Sequence, residues 1–282
     1  MSLPVYCTPA ERIGHFCYKL FCYSVLFFLI MPILIIIPLS FNAEPYFSFT
    51  EGMLSLDADA FSLRWYEDMV SNPQWVNALK NSVIIATAST LLATTLGTIA
   101  ALGLSRSEMP LRNAVMALLI SPMIVPVIIA AAGMYFFYTK LGLSQTYTGV
   151  ILAHAVLGIP FVVITVTATL SGFDHSLTRA SANLGAGPVR TFFQVTMPLI
   201  RPGVISGGLF SFGTSFDEVV VVLFVSGVEQ RTVPRQMWSG IREQISPTIL
   251  AVATLLIVFS VLLLITLELL RRRNARMRGI RE

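Results

Sequence analysis

Charge is scarce in this sequence. Asp, Glu, Lys and Arg make up 12% of its 282 residues, about half the roughly 25% of a typical soluble domain. Hydrophobic residues make up 55% and mean hydropathy is +0.76, so there is too little polar surface to cover a soluble globule of this length. Cysteine is also sparse: Cys7, Cys17 and Cys22 crowd the start, without CxxC spacing and without later partners. That pattern supports neither a disulfide framework nor a zinc site. There is no GxxxxGK[ST] loop to cradle phosphates, so any ATP-driven work needs a nucleotide site on another polypeptide. His15, His154 and His175 are scattered over a terminus, an apolar run and a loop, and no Ser, His and Asp set has catalytic spacing. No enzyme active site is expected. His154 reads as a hydrogen-bonded packing residue, with a proton relay as the alternative.

What is present is a series of apolar runs. Six are long enough to cross a bilayer, at roughly 20 residues each: 16–39, 76–104, 114–138, 147–170, 204–225 and 248–270. The expected fold class is therefore all-α, a polytopic membrane protein with six transmembrane helices. The apolar core of the first run, 20–39, is longer than a signal-peptide core of about 7–15 residues, which favours a retained anchor. Pro122 and Pro126 remove backbone donors from the third run and are expected to bend it, either as a pore feature or for packing.

Lys and Arg set the orientation. Arg12 and Lys19, Arg106 and Arg112, Arg179, Arg190 and Arg201, and then Arg271, Arg272, Arg273, Arg276, Arg278 and Arg281 fall on one side; Arg64, Lys80, Lys140, Arg231, Arg235 and Arg242 fall on the other. The positive-inside bias places both termini in the cytoplasm. It also accounts for the net charge of +4 without nucleic acid. The resulting organisation is a cytoplasmic segment 1–15, a membrane domain 16–270 with an outer loop 41–74 and a cytoplasmic loop 171–203, and a basic tail 271–282 that anchors at the anionic leaflet.

Three stretches carry possible chemistry. In the cytoplasmic loop, small residues Ala180, Ser181 and Ala182 lead to Gly185, where a helix can stop because glycine takes the left-handed conformation without steric cost. A second helix can start near Pro188, with Val189, Phe192, Phe193 and Val195 as an apolar side lying on the bundle. The outer loop carries Glu44, Glu51, Asp57, Asp59, Glu67 and Asp68 with Phe61, Trp65 and Tyr66. It either docks a solute-delivering protein and draws in cations, or is a solvated loop with an interfacial aromatic anchor. The fifth run holds Ser215-Phe216-Asp217-Glu218 after Gly207, Gly208 and Gly213. An acid at a membrane-helix centre costs about 2.5–3.5 kcal/mol on insertion scales. On a regular helix the two acids point about 100° apart, so one can face a passage and the other a neighbouring helix. They either compensate a positively charged solute, or are structural acids paired with Arg231, Arg235 or a partner subunit.

The loop beginning at Thr178 resembles the EAA loop of permease subunits of ATP-binding-cassette (ABC) importers, whose pattern is Glu-Ala-Ala, three residues, Gly, nine residues, Ile, any residue, Leu-Pro. The matching positions are Arg179, Ala180, Ser181, Gly185, Val195, Met197 and Pro198, with Arg179 departing from the family's glutamate. Phe-Ser-Leu-Arg-Trp-Tyr (61–66), Asn81-Ser82, Leu96-Gly97-Thr98, the Ser215–Glu218 acids, Ser226-Gly227, Pro234, Met237-Trp238-Ser239, Ile241-Arg242 and Ile245-Ser246-Pro247 look like the polyamine-type members. The resemblance implies a type I (MetI-like) importer transmembrane domain in a bacterial inner membrane. Arg179, Ala180, Ser181, Gly185, Met197 and Pro198 would couple it to an ATPase dimer, and Ser215, Phe216, Asp217 and Glu218 would line the solute path. It further implies ATP and Mg on the partner ATPase with no cofactor on this chain, a second, homologous permease subunit, an extracytoplasmic solute-binding protein, surrounding lipid, and putrescine or spermidine as solute. An opine or amino-acid-derived solute is the alternative within the family. From another class, the alternative is an ion- or proton-coupled carrier or channel using Asp217, Glu218 and His154; such a carrier has no need of a coupling loop.

Overall fold

The computed structural model of the chain describes residues 8–106, 108–243 and 246–277; Cys7, Ile245, Arg278 and Arg281, and the outer parts of the terminal segments 1–15 and 271–282, lie outside them. The described residues are helical, with one isolated bridge between Asn42 and Phe61. They form two compact units, Met1–Met69 with Ile245–Val258, and Val70–Gln244 with Phe259–Glu282.

In the first unit, α1 (Pro9–Leu39) starts at a capping box: Thr8 Oγ1 accepts from the Glu11 N–H, and the Glu11 carboxylate accepts from the Thr8 N–H at 2.8 Å. Its most apolar stretch has no buried residue; a helix apolar on every face suits hydrocarbon rather than water. Beyond it, α2 (Glu51–Leu54) and α3 (Arg64–Ser71) fold the outer loop upon itself. Asn42 is buried at the centre: its amide donates to the Tyr46 and Ser48 carbonyls, and its own carbonyl accepts from the Trp65 indole at 2.8 Å. The Arg64 guanidinium lies 4.0 Å from the Trp65 ring centroid and donates to the Ala43 carbonyl. Trp65 is therefore buried as the peg of a folded loop and is not a free interfacial anchor. Of the loop's acids, Glu44, Glu51, Asp57, Asp59 and Glu67 are exposed, while Asp68 accepts from the Thr248 hydroxyl at 2.6 Å.

The second unit is built on three long helices, α4 (Pro73–Leu104), α7 (Tyr147–Leu170) and α10 (Met197–Asp217). Between them lie α5 (Arg112–Ile124), α6 (Val127–Lys140), α8 (Ser176–Asn183) and α9 (Pro188–Thr191); α11 (Val220–Val225), α12 (Val233–Glu243) and the later part of α13 (Thr248–Met277) follow. One core cluster, towards the start of α7, gathers Ile85, Val150, Ala153, Leu157, Val221 and Val225; another, towards its end, gathers Ala101, Val162, Val166, Ile200 and Val204. Small residues bring the backbones together, as membrane helices require where dispersion replaces the hydrophobic drive. Gly97 of α4 and Gly207 of α10 close on Val162 of α7: a Cβ on Gly97 would lie 2.7 Å from the Val162 Cβ, and one on Gly207 would lie 2.8 Å from the Val162 Cα.

The six expected spans are not six unbroken helices. Among the described residues, α1, α4, α7 and the first 19 residues of α13 are long and apolar enough to cross a membrane, which makes four, or five if α5 and α6 form one broken span. These two meet at 103°, far sharper than a proline kink. Val125, just before Pro126, is extended at φ −68° and ψ 132°, because a following proline ring disfavours the helical region. Their 13 and 14 residues give about 20 Å each, short of a hydrocarbon core of about 30 Å. The expected run 204–225 is also divided, between α10 and α11, and α10 begins earlier, at Met197.

Gly97→Val and Gly207→Val are each expected to destabilise the bundle by about 1–3 kcal/mol through overpacking against Val162. Gly133→Ala, whose Cβ meets nothing within 4 Å, is expected to be neutral. Thermal unfolding of the three variants in mild detergent checks the contrast.

Candidate functional site

The break between α10 and α11 assigns different tasks to the four residues expected along the solute path. Ser215 is buried, with its Oγ 2.7 Å from His154 Nδ1 on α7 and 2.9 Å from Ser89 Oγ on α4. One hydroxyl thus ties together the three central helices. His154 is buried, and its Nε2 has no partner among the described residues. Phe216 is buried between Phe212, at 5.7 Å between centroids, and Phe259, at 4.8 Å. Asp217 is the last residue of α10 and is exposed. Glu218 leaves the helix in an extended conformation, and its Oε1 accepts from the Val221 N–H at 2.9 Å, capping α11.

Two sequence readings are corrected here. The acids do not sit 100° apart on a regular helix, because the helix ends at Asp217. Glu218 is extended, and its side chain supplies a cap from which a new helix starts at Val220. Nor are they paired with Arg231 or Arg235: among the described residues neither acid is within 4 Å of these cations. Arg231 Nη1 donates to Gln236 Oε1 at 3.0 Å, and Arg235 Nη1 donates to the Ser226 hydroxyl and to the Ser226 and Gly227 carbonyls. Asp217 is left beside the C-terminal turn of α10, where the last carbonyls lack intrahelical partners and the helix dipole is negative. Such a place attracts a cation.

The segment expected in the cytoplasm folds as a helical hairpin. At the end of α8 the Gly185 N–H donates to the Ala182 carbonyl and the Ala186 N–H to the Ser181 carbonyl, with Gly185 at φ +79°; this paired closure is the Schellman motif. Gly187 and Pro188 open α9, as the sequence predicts. Ser181 Oγ and Thr191 Oγ1, 2.9 Å apart, join the two arms. At its entrance the Asp174 carboxylate accepts from the Ser176 hydroxyl and N–H, which hold its carboxyl below the usual range. A π-helical turn, Phe192–Thr196, then runs straight into α10. Beside that wider turn the expected apolar side is overturned: Phe192 and Val195 are partly buried, while Val189 and Phe193 point out at 71% and 64% exposure. With Leu184, 88% exposed, they make an apolar tip. Arg179, Ala180 and Gly185 are exposed on the same hairpin, Ser181 is partly covered, Met197 packs into the core cluster at the end of α7, and Pro198 is exposed. Behind the hairpin lies a cavity of about 430 Å³ lined by Leu102, Arg106, Phe173, His175, Thr178 and Phe192.

A second cavity, of about 460 Å³, lies at the other end of α4, lined by Gln74, Lys80, Asn81, Tyr147, Glu229 and Arg231. Along α4 the lining residues Lys80 and Leu102 are separated by roughly 33 Å. The Asn81 amide donates to the Glu229 and Arg231 carbonyls at 2.7 and 2.9 Å, Tyr147 donates to Asn81 Oδ1, and Ser82 Oγ accepts from the Val233 N–H. Sequence reasoning missed this cavity. Its one trace was the polar pair Asn81-Ser82 inside an apolar run.

Residues 93–276 match the family described as the binding-protein-dependent transport system inner membrane component. The chain is 34% identical to the spermidine/putrescine transport system permease protein PotC of Haemophilus influenzae, over 90% of this chain and 96% of that one. It is 30% identical to the putrescine transport system permease protein PotI of Escherichia coli, over 82% of each. In fold it is similar to a chain of a bacterial ABC transporter involved in the import of the acidic polysaccharide alginate, with a TM-score of 0.75 at 13% identity, covering 94% of this chain and 99% of that one. An all-helical membrane chain with an EAA-like hairpin between its central helices, matched over this length, belongs to the inner-membrane components of binding-protein-dependent transport systems, the permease subunits of ABC importers.

Proposed function

We propose that this subunit forms half of the translocation pathway for a small cationic solute, a polyamine of the putrescine or spermidine kind. The observation that carries the reading is Asp217, a carboxylate without an ion-pair partner among the described residues, at the C-terminal end of an interrupted helix. Broken membrane helices place such ends at solute and ion sites, and the C-terminal end suits a cation. The polyamine-transport names of the permeases to which the chain is similar support the same solute class.

Energy comes from a separate ATPase dimer that binds ATP and Mg, while this chain binds no cofactor. The 176–198 hairpin docks into that dimer through its apolar tip and Ala180, Ser181 and Gly185. Arg179, exposed and with no carboxylate within 4 Å among the described residues, meets an acceptor on the ATPase in place of the usual glutamate. A homologous second permease completes the pathway, an extracytoplasmic binding protein delivers solute, and both termini face the cytoplasm. ATP drives the switch only by binding the outward-open state more tightly than the inward-open one.

Asp217→Asn is expected to lower uptake of labelled putrescine by the complete complex by about tenfold, the equivalent of about 1.4 kcal/mol of lost charge compensation, with assembly intact. Unchanged uptake would remove the charge reading. Glu218→Gln keeps an oxygen for the Val221 N–H and is expected to transport nearly normally, whereas Glu218→Ala loses the cap, at about 1 kcal/mol. Gly185→Val forces a β-branched side chain into the left-handed region, at roughly 1–2 kcal/mol, and is expected to weaken stimulation of ATP hydrolysis by loaded binding protein. Gly185→Asn, which tolerates that conformation, should retain it.

A further inference from the structure

The cavity at the far end of α4 from the hairpin is unsuited to a cationic solute. Lys80 and Arg231 line it against a single acid, Glu229. A partly buried guanidinium normally finds a carboxylate, because an unpaired charge away from water is costly. Arg231 has none within 4 Å among the described residues: its Nη1 is held by the neutral Gln236 amide, and its Nε is buried without an acceptor. Arg235, further along the same segment, is held by the Ser226 and Gly227 carbonyls and likewise has no carboxylate within 4 Å among the described residues. The frame around Arg231 is fixed, with its own carbonyl and that of Glu229 tied to Asn81, and Val233 tied to Ser82. Lys80, by contrast, is exposed at the rim and can move.

A rigid guanidinium without a counter-ion, beside a mobile ammonium, repels a polyamine and matches a carboxylate. We propose that this cavity seats an acidic side chain, Asp or Glu, of the extracytoplasmic solute-binding protein, with Lys80 and Arg231 as its counter-ions. The proposal rests on the importer reading above, which brings a binding protein to this end of the subunit. It also separates two duties by charge: positive groups hold the donor protein, and an acid at the α10 break meets the solute.

The test is the Kd of the binding protein for the complete complex in lipid nanodiscs, measured over a salt series. Lys80→Glu and Arg231→Gln are each expected to raise Kd by about tenfold or more and to flatten its salt dependence, with the subunits still co-purifying. Should Arg231→Gln fail to assemble, Lys80→Glu, at an exposed position, decides alone. An unchanged Kd and salt slope overturn the proposal. Free glutamate titrated onto the complex checks the other source of a carboxylate: saturable glutamate binding that Lys80→Glu abolishes, with the binding-protein Kd unaltered, assigns the cavity to a small molecule and also overturns it. In the same preparation, failure of loaded binding protein to stimulate ATP hydrolysis by the unaltered complex overturns the importer reading and this proposal with it.

Discussion

Hydrocarbon offers backbone groups no hydrogen-bond partner, and the rest of the structure follows from that constraint. An unbroken helix meets it automatically, so each interruption needs a local solution. At Pro126 the chain turns through 103° at a residue that has no N–H to satisfy. At Glu218 a side chain supplies the acceptor that a continuing helix would have supplied to Val221. Outside the apolar runs, at Gly185, two backbone bonds close the end of α8. Among the buried side chains Ser215 is satisfied in the same way, between His154 and Ser89. Among the described residues, part of the polar chemistry is concentrated where the helices stop.

That concentration explains what could be read from the sequence. The stop at Gly185 and the start at Pro188 are local events, fixed by the conformational freedom of one residue and the fixed φ of another, and they fall where the residues indicate. The apolar runs are equally visible, because composition alone decides which stretches tolerate lipid. Composition does not reveal whether a run is one helix or two. Pro122 and Pro126 are compatible with a bend or a break, and only the neighbouring geometry selects the break. The division at Glu218 was hidden for a different reason: a glutamate that caps a helix and one that lines a passage look identical in a sequence.

Helical periodicity failed in the second arm of the hairpin. A repeat of about 3.6 residues puts Val189 and Phe193 on the bundle, but Val189, in α9, and Phe193, in the π-helical turn that follows it, are both exposed. Trp65 is a different case. An aromatic in an outer loop suggests a membrane interface, yet its indole donates to the buried Asn42 carbonyl. Several cations of the expected outer side likewise have structural partners: Arg64 holds the Ala43 carbonyl, and Arg235 holds the Ser226 and Gly227 carbonyls. Against that background Arg231, with one neutral partner, stands out only after every bond around it has been traced.

The join between α9 and α10 has a mechanical consequence. No loop separates the hairpin from the third central helix: the chain passes from Thr191 through the π-helical turn to Met197 and on to Asp217 without leaving helical geometry. The 21 residues of α10 make a rod of about 30 Å, with the apolar tip near one extremity and the carboxylate at the other. Slack that a flexible tether would absorb is absent, so a displacement of the hairpin would be carried along a continuous helical rod that packs at Gly207 against Val162.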